Sequence, residues 1–198
     1  GTPTLAQLAD YGQFVNKFKY QEGNPDLRPN TGQMVSLNMS LWRKLSVYAK
    51  YEFSKNGIFN IYNTGSMELD NADERFYYAH AKYQNGAYSF LTVGANFHQD
   101  LSKNLTLYFD AKAVRSHAAY QDCQNNVWVP SGSLDVWYSL QKYDLGACLS
   151  YNLSGSGNVT PQSYERVITD DIMLGVQKNL FNKKLILALS YFLPVHIT

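Results

Sequence analysis

Apolar and polar side chains alternate one by one along much of this chain, and the alternation returns segment after segment. In the stretch 34–42, Val35, Leu37, Met39 and Leu41 are interleaved with Ser36, Asn38 and Ser40; in 45–54, Leu45, Val47, Ala49, Tyr51 and Phe53 are interleaved with Ser46, Tyr48, Lys50, Glu52 and Ser54. The same rhythm recurs with Leu105, Leu107, Phe109, Ala111 and Ala113, then with Leu134, Val136, Tyr138 and Leu140, then with Leu145, Ala147, Leu149, Tyr151 and Leu153. It closes with Leu185, Leu187, Leu189 and Tyr191. A period of two puts one set of side chains on each face of a β-strand, and helical spacing accounts for none of these segments.

The links between the segments fall into two kinds. Short polar links at Arg43-Lys44, Ser102-Lys103-Asn104, Lys142-Tyr143 and Asn182-Lys183 each join two alternating segments, as tight hairpins require. Long polar connections lie between them, over 55–87, 117–132 and 155–168, with 23–30 as a further one; the stretch after Asn56-Gly57 could also carry strand beyond the main sheet. Short turns on one side and long loops on the other predict an all-β, up-and-down antiparallel meander, a barrel or barrel segment of about nine to ten strands. Residues 1–198 read as a single domain, since no composition shift or low-complexity stretch marks a second.

A half-buried strand of a soluble sheet alternates in the same way. Strand length favours a membrane barrel, because segments of about ten residues exceed the usual five or six of soluble sheets. Aromatic residues near segment ends, Trp42, Phe53, Tyr88, Tyr143 and Phe192, would suit interfacial girdles. Lys50, Glu52, Asp110, Lys112 and Asp135 all fall on polar faces, which must then point into a wet lumen or against a plug. No apolar run approaches the ~20 residues of a transmembrane helix, which leaves strands as the means of crossing. The start Gly1-Thr2-Pro3, without an initiator Met, points to a tag remnant or an excised fragment from which an export signal would be gone.

Composition narrows the chemistry. With 17 basic and 16 acidic residues the net charge is +1, so no basic footprint for nucleic acid exists. Aromatic residues make up 15% of the chain, led by 16 Tyr, a mix suited to positions where a ring is buried and its hydroxyl meets water. The two cysteines, Cys123 and Cys148, form no metal motif, and their spacing leaves both a single bridge and free thiols open.

Tyr20 to Asn30 reads Tyr-Gln-Glu-Gly-Asn-Pro-Asp-Leu-Arg-Pro-Asn and runs straight into an alternating strand. This resembles the Gly-Asn-Pro-x-Leu-x-Pro segment of TonB-dependent outer-membrane receptors, especially the related barrel proteins of Bacteroidetes. The stretch 175–185, a strand meeting an Asn/Lys turn, is similar to the penultimate hairpin of the same barrels. The resemblance implies the C-terminal part of a larger barrel in the bacterial outer membrane, taking up an unidentified nutrient with outer-membrane lipid around it. It also implies an inner-membrane energy-coupling complex that would be reached only through an N-terminal region, since nothing here resembles the plug domain or the coupling box. The ending departs from the pattern, running from Phe192 through Leu-Pro-Val-His-Ile to Thr198 rather than stopping on an aromatic residue. Pro25 and Pro29 fix φ and push Asn24 and Arg28 toward extended backbone, so the motif is expected to be a rigid crossing into the next strand.

No catalytic, cofactor or metal site is expected. His80, His98, His117 and His196 occupy separate segments, and no nucleophile elbow, phosphate loop or dinucleotide fingerprint occurs. An enzyme assembled from dispersed residues would have to draw on His98, His117 and Asp110. Asp70, Asp73, Glu74 and the pair Asp170, Asp171 read as solvated loop residues before they read as calcium ligands. For ligand contact the candidates are the loop aromatics Tyr62, Tyr120 and Trp128 and the polar-face Tyr48 and Trp137, with interface anchoring or loop packing as the structural alternative. Two further functions compete with uptake: a soluble or periplasmic barrel holding a small ligand, and a surface barrel acting in adhesion or assembly.

Overall fold

The computed structural model describes residues 1–68, 75–181 and 184–197, with the side chains of Glu68, His196 and Ile197 set aside. Ten strands form one sheet: β1 (Gly12–Asn16), β2 (Lys19–Glu22), β3 (Gly32–Leu41), β4 (Leu45–Glu68), β5 (Arg75–Asp100), β6 (Leu105–Tyr120), β7 (Cys123–Leu140), β8 (Leu145–Val159), β9 (Tyr164–Leu180) and β10 (Leu185–Ile197). From β3 to β10 each strand pairs antiparallel with the next, so the predicted meander is present. Among the described residues β1, β3 and β10 each pair on one side only, and β3 and β10 are the two open edges of the meander.

The register confirms the two faces. Across β4, β5, β6 and β7 the row Ala49, Val93, Ala113, Pro130 alternates with the row Lys50, Thr92, Val114, Val129, because antiparallel partners share a face. The apolar face carries the alternating Leu, Val, Phe and Tyr side chains and is open: Val35, Leu37, Leu134, Leu149, Leu174 and Leu189 are all exposed. Lys50, Glu52, Asp110, Lys112 and Asp135 share the opposite face, where Lys50 pairs with Glu52 at 2.9 Å and Asn96 donates to Asp110. A soluble sheet would turn its apolar face inward; this one turns it out. From Leu105 to Arg115 is ten residue steps, which at the usual rise and a tilt near 40° gives an apolar band about 25 Å tall.

Among the described residues the tight turns fall where alternation predicts them, and the predicted Asn182-Lys183 link lies outside those residues. Trp42 and Arg43 take φ of 49° and 58°, the mirror-image turn whose twist matches its flanking strands. The long connections are corrected in detail. Residues 117–120 and 123–132 are paired strand, closed by Gln121-Asp122; 155–159 pairs with 164–168; and 57–68 pairs with 75–86. These excursions are hairpin arms rather than irregular loops. Their alternation fades because neither face meets lipid above the band, so nothing enforces one apolar side.

Two of the expected girdle aromatics also change place. Tyr88 shares the polar face with Ser54, and Phe192 is paired with Met173 on that same face, so strand parity turns both away from lipid. Trp42 and Tyr143 do project at the turn end, 82% and 55% exposed. Cys123 and Cys148 are free: one sits at an arm tip and the other opposite Trp137, about 46 Å along β7, which no bridge can span.

Candidate functional site

Chemistry concentrates at the far end of the polar face, on the arms. The N-terminal β1–β2 hairpin docks there by parallel pairing of β2 with Ala79–Lys82 of β5, the one parallel junction among the described residues. Because parallel partners keep parity, Phe18, Tyr20 and Glu22 join Phe76, Tyr78, His80 and Lys82 on one surface. Phe14 packs edge-on against Tyr20 and Tyr78, with ring centroids 5.1 and 5.2 Å apart, and Phe18 stacks on Phe76 at 6.1 Å. Tyr20 meets His80 at 5.4 Å, so the aromatic wall passes directly into a charged group. There Glu22 accepts from His80 Nε2 at 2.7 Å and from Lys82 Nζ. The Lys82 contact, followed by that with His80, holds the Glu22 carboxyl below its ordinary value against the opposing effect of burial. Phe18 and Phe14 remain 59% and 43% exposed, and a hollow of about 380 Å³ at Phe18 opens over Tyr62, Thr64 and Tyr77 of the opposite face.

Two devices hold this end in shape. The Asn-Pro-Asp-Leu-Arg-Pro segment leaves β2 beside β5 and enters β3 beside β4, so it crosses both strands as a strap. Buried Asn24 donates to the Tyr83 carbonyl at 2.9 Å and caps the Asp26 N–H at 3.0 Å, while Leu27 is buried and both prolines face solvent. Asn85 holds Arg28 through both its amide atoms, and Ser54 reaches Asn30 Oδ1 at 2.7 Å. The rigid crossing expected from the two prolines is therefore present, anchored by Asn24 before them and by residues between and after them.

The second device is the β8–β9 arm. β8 leaves its pairing with β7 after Leu153 and crosses it, and a Cβ on Gly155 would run into the Pro130 carbonyl, so the crossing needs glycine there. Val159 then packs with Val127, Val129, Ala118 and Phe59. At the tip, the Gln162 side chain receives the Tyr62 N–H at 2.7 Å and donates to the Tyr62 carbonyl at 2.8 Å, imitating a strand partner on β4. The curled sheet is thereby bridged from β9 back to β4 at its far end.

The sequence-derived aromatics do not converge. Tyr48 lies on the polar face over Gly94, and Trp137 lies on that face opposite Cys148; Tyr120 has the same parity at an arm tip. Tyr62 and Trp128 belong to the other face, Tyr62 with Lys19 at 3.2 Å and Trp128 paired with Arg115. The wall of Phe14, Phe18, Tyr20, Phe76 and Tyr78 was missed. Its only sequence signal is aromatic alternation at 18/20 and 76/78, in segments sixty residues apart whose parallel register nothing in the chain announces.

Of the dispersed catalytic set, His98 stacks on Tyr108 at 4.6 Å on the polar face with Asp110, whereas His117 is on the opposite face. Asp170 and Asp171 are split likewise, one accepting from Tyr151 and the other from Asn152 on the polar face. Asp70, Asp73 and Glu74 lie outside the described residues, as does the His196 side chain. Among the described residues no group of three His, Cys, Asp or Glu side chains could hold a metal ion.

No curated protein and no solved structure matches the chain. A family model does, over residues 2–192, and its description agrees with the outward apolar band, the polar inner face and the meander: the chain belongs to the outer membrane protein beta-barrel family and resides in the outer membrane.

Proposed function

We propose that this chain is the barrel wall of an outer-membrane receptor or transporter, non-enzymatic, which takes up a small nutrient through its lumen. The carrying observation is the aromatic wall of Phe14, Phe18, Tyr20, Phe76 and Tyr78 beside Glu22, His80 and Lys82, raised on arms above the apolar band and facing inward. Aromatic faces next to polar groups suit sugars and peptides. The strap sequence resembling TonB-dependent receptors of Bacteroidetes supports energy-coupled uptake through a partner region outside these residues. The open edges of β3 and β10 support a share in a larger barrel, since unpaired backbone groups cannot face hydrocarbon.

The test is uptake by cells carrying the full-length parent protein with Phe18→Ala and Tyr78→Ala, over a panel of oligosaccharides and peptides, at matched surface abundance. Uptake of one class should fall while barrel heat resistance stays. Unchanged uptake of everything, with loss of cell or partner adhesion, would favour the adhesive barrel. A soluble or periplasmic ligand carrier is set aside by outer-membrane residence.

A further inference from the structure

The outward face contains a groove that its alternation does not announce. Ala95, Ala111, Ala113 and Gly132 form its floor across β5, β6 and β7, and Phe109 and Tyr151 stand at its sides, around a volume of about 580 Å³. The gap is built into the backbone. A Cβ at Gly132 would run into the Asp110 carbonyl oxygen, so β6 and β7 approach too closely there for any larger residue without a shift of strands.

Directly above the floor, two residues beyond Ala113 and on the same face, stands Arg115, paired across the strands with Trp128. Its Nε donates to Asn126 Oδ1 at 2.9 Å, and among the described residues it has no acidic partner. The acid nearest in the band, Asp170, accepts the Tyr151 hydroxyl and lies in the row of Ala111, three strands across and four residues below Arg115, about 20 Å away. Trp128 is 44% exposed at this height, where aromatic rings mark the headgroup level. A groove for hydrocarbon thus ends under an unneutralised guanidinium that is suited to bidentate phosphate contact.

We propose that this groove is a specific site for one membrane lipid with a phosphate-monoester headgroup, its acyl chain lying along Ala95, Ala111, Ala113 and Gly132 and its phosphate on Arg115. The site lies in central strands, away from both open edges, and rests on outer-membrane residence rather than on the uptake reading. A second copy of the chain would fill the groove with side chains but would leave Arg115 without its anion.

The test uses the full-length parent protein with Trp42→Phe and Trp137→Phe and any tryptophan outside these residues likewise replaced, so that Trp128 is its sole tryptophan. It is reconstituted in phosphatidylcholine vesicles containing either phosphatidic acid or phosphatidylcholine brominated near the headgroup. Phosphatidic acid should quench Trp128 with an apparent affinity about fivefold above that of phosphatidylcholine, the usual effect of one cation at an anionic surface. Arg115→Gln should erase that preference, and Ala113→Leu should weaken both lipids while circular dichroism and heat resistance stay unchanged. Equal quenching by both lipids, or a preference that survives Arg115→Gln, overturns the headgroup assignment. Indifference to Ala113→Leu overturns the groove, and shielding of Trp128 that disappears on dilution in lipid assigns the face to a second copy instead.

Discussion

Replacing Asn24 by Ala should release the strap, and the size of the effect follows from its contacts. The side chain is 8% exposed, donates to the Tyr83 carbonyl at 2.9 Å and to Gln84 Oε1 at 3.3 Å, and accepts from Asp26 N–H at 3.0 Å. At roughly 1 kcal/mol net per hydrogen bond, the loss is about 2–3 kcal/mol of local stability, or an opening about 30- to 150-fold more frequent. The rest of the sheet does not depend on these bonds, so heat resistance of the barrel should hold. Hydrogen exchange followed by mass spectrometry should show the loss in peptides covering 18–31 and 79–85, and leave 105–140 unchanged. Asn24→Asp should lose at least as much, because its oxygen would face the two acceptors that the amide now serves. Unchanged protection in 18–31 for both variants would refute the strap's dependence on Asn24.

Four further outcomes follow. Leu174→Lys, mid-band on the outward face, should cost about 2–4 kcal/mol of folding stability in lipid vesicles by urea titration, whereas Asn96→Lys on the inner face should be nearly neutral; the reverse would invert the faces. The carboxyl of Glu22 is held below its ordinary 4.5, so its contribution to docking the β1–β2 hairpin is complete above that value and is lost as the pH falls through the lowered one. Exchange protection of 79–82 should therefore drop only below the ordinary carboxylate range, and Glu22→Gln should remove the dependence. Cys123, exposed at the β6–β7 tip, should react with an impermeant maleimide on intact cells while Cys148 does not. Gln162→Ala should lengthen the spin-label distance between the β8–β9 tip and β4, and an unaltered distance would mean that the packing of Val159 alone holds the arm.

The faces of β3, β4, β6, β7, β8 and β10 were legible within the band because lipid enforces the alternation residue by residue: Leu37, Val47, Leu107 and Leu149 announce their side without knowledge of any partner. The arms were not, because water on both sides relaxes that rule, and 57–68 mixes Ile58, Asn60 and Tyr62 with Phe59, Ile61 and Asn63. Girdle positions failed where nearness to a segment end stood in for parity, as at Tyr88 and Phe192. The inward surface was half legible: its charges were assigned from alternation, but its aromatic wall depends on β2 finding β5 in parallel, a register set by tertiary contacts such as Glu22 with Lys82 rather than by local pattern.

That junction also orders the events of assembly. Gln21 meets Ala81 across a separation of 60 residues, so the opening segment has no template until the β4–β5 ribbon exists, and the entropy of closing so long a loop delays it further. The first thirty residues of this chain are thus the late ones, threaded onto a nearly finished wall, and a fault there should yield a membrane-inserted barrel with an unfinished rim rather than a failed insertion.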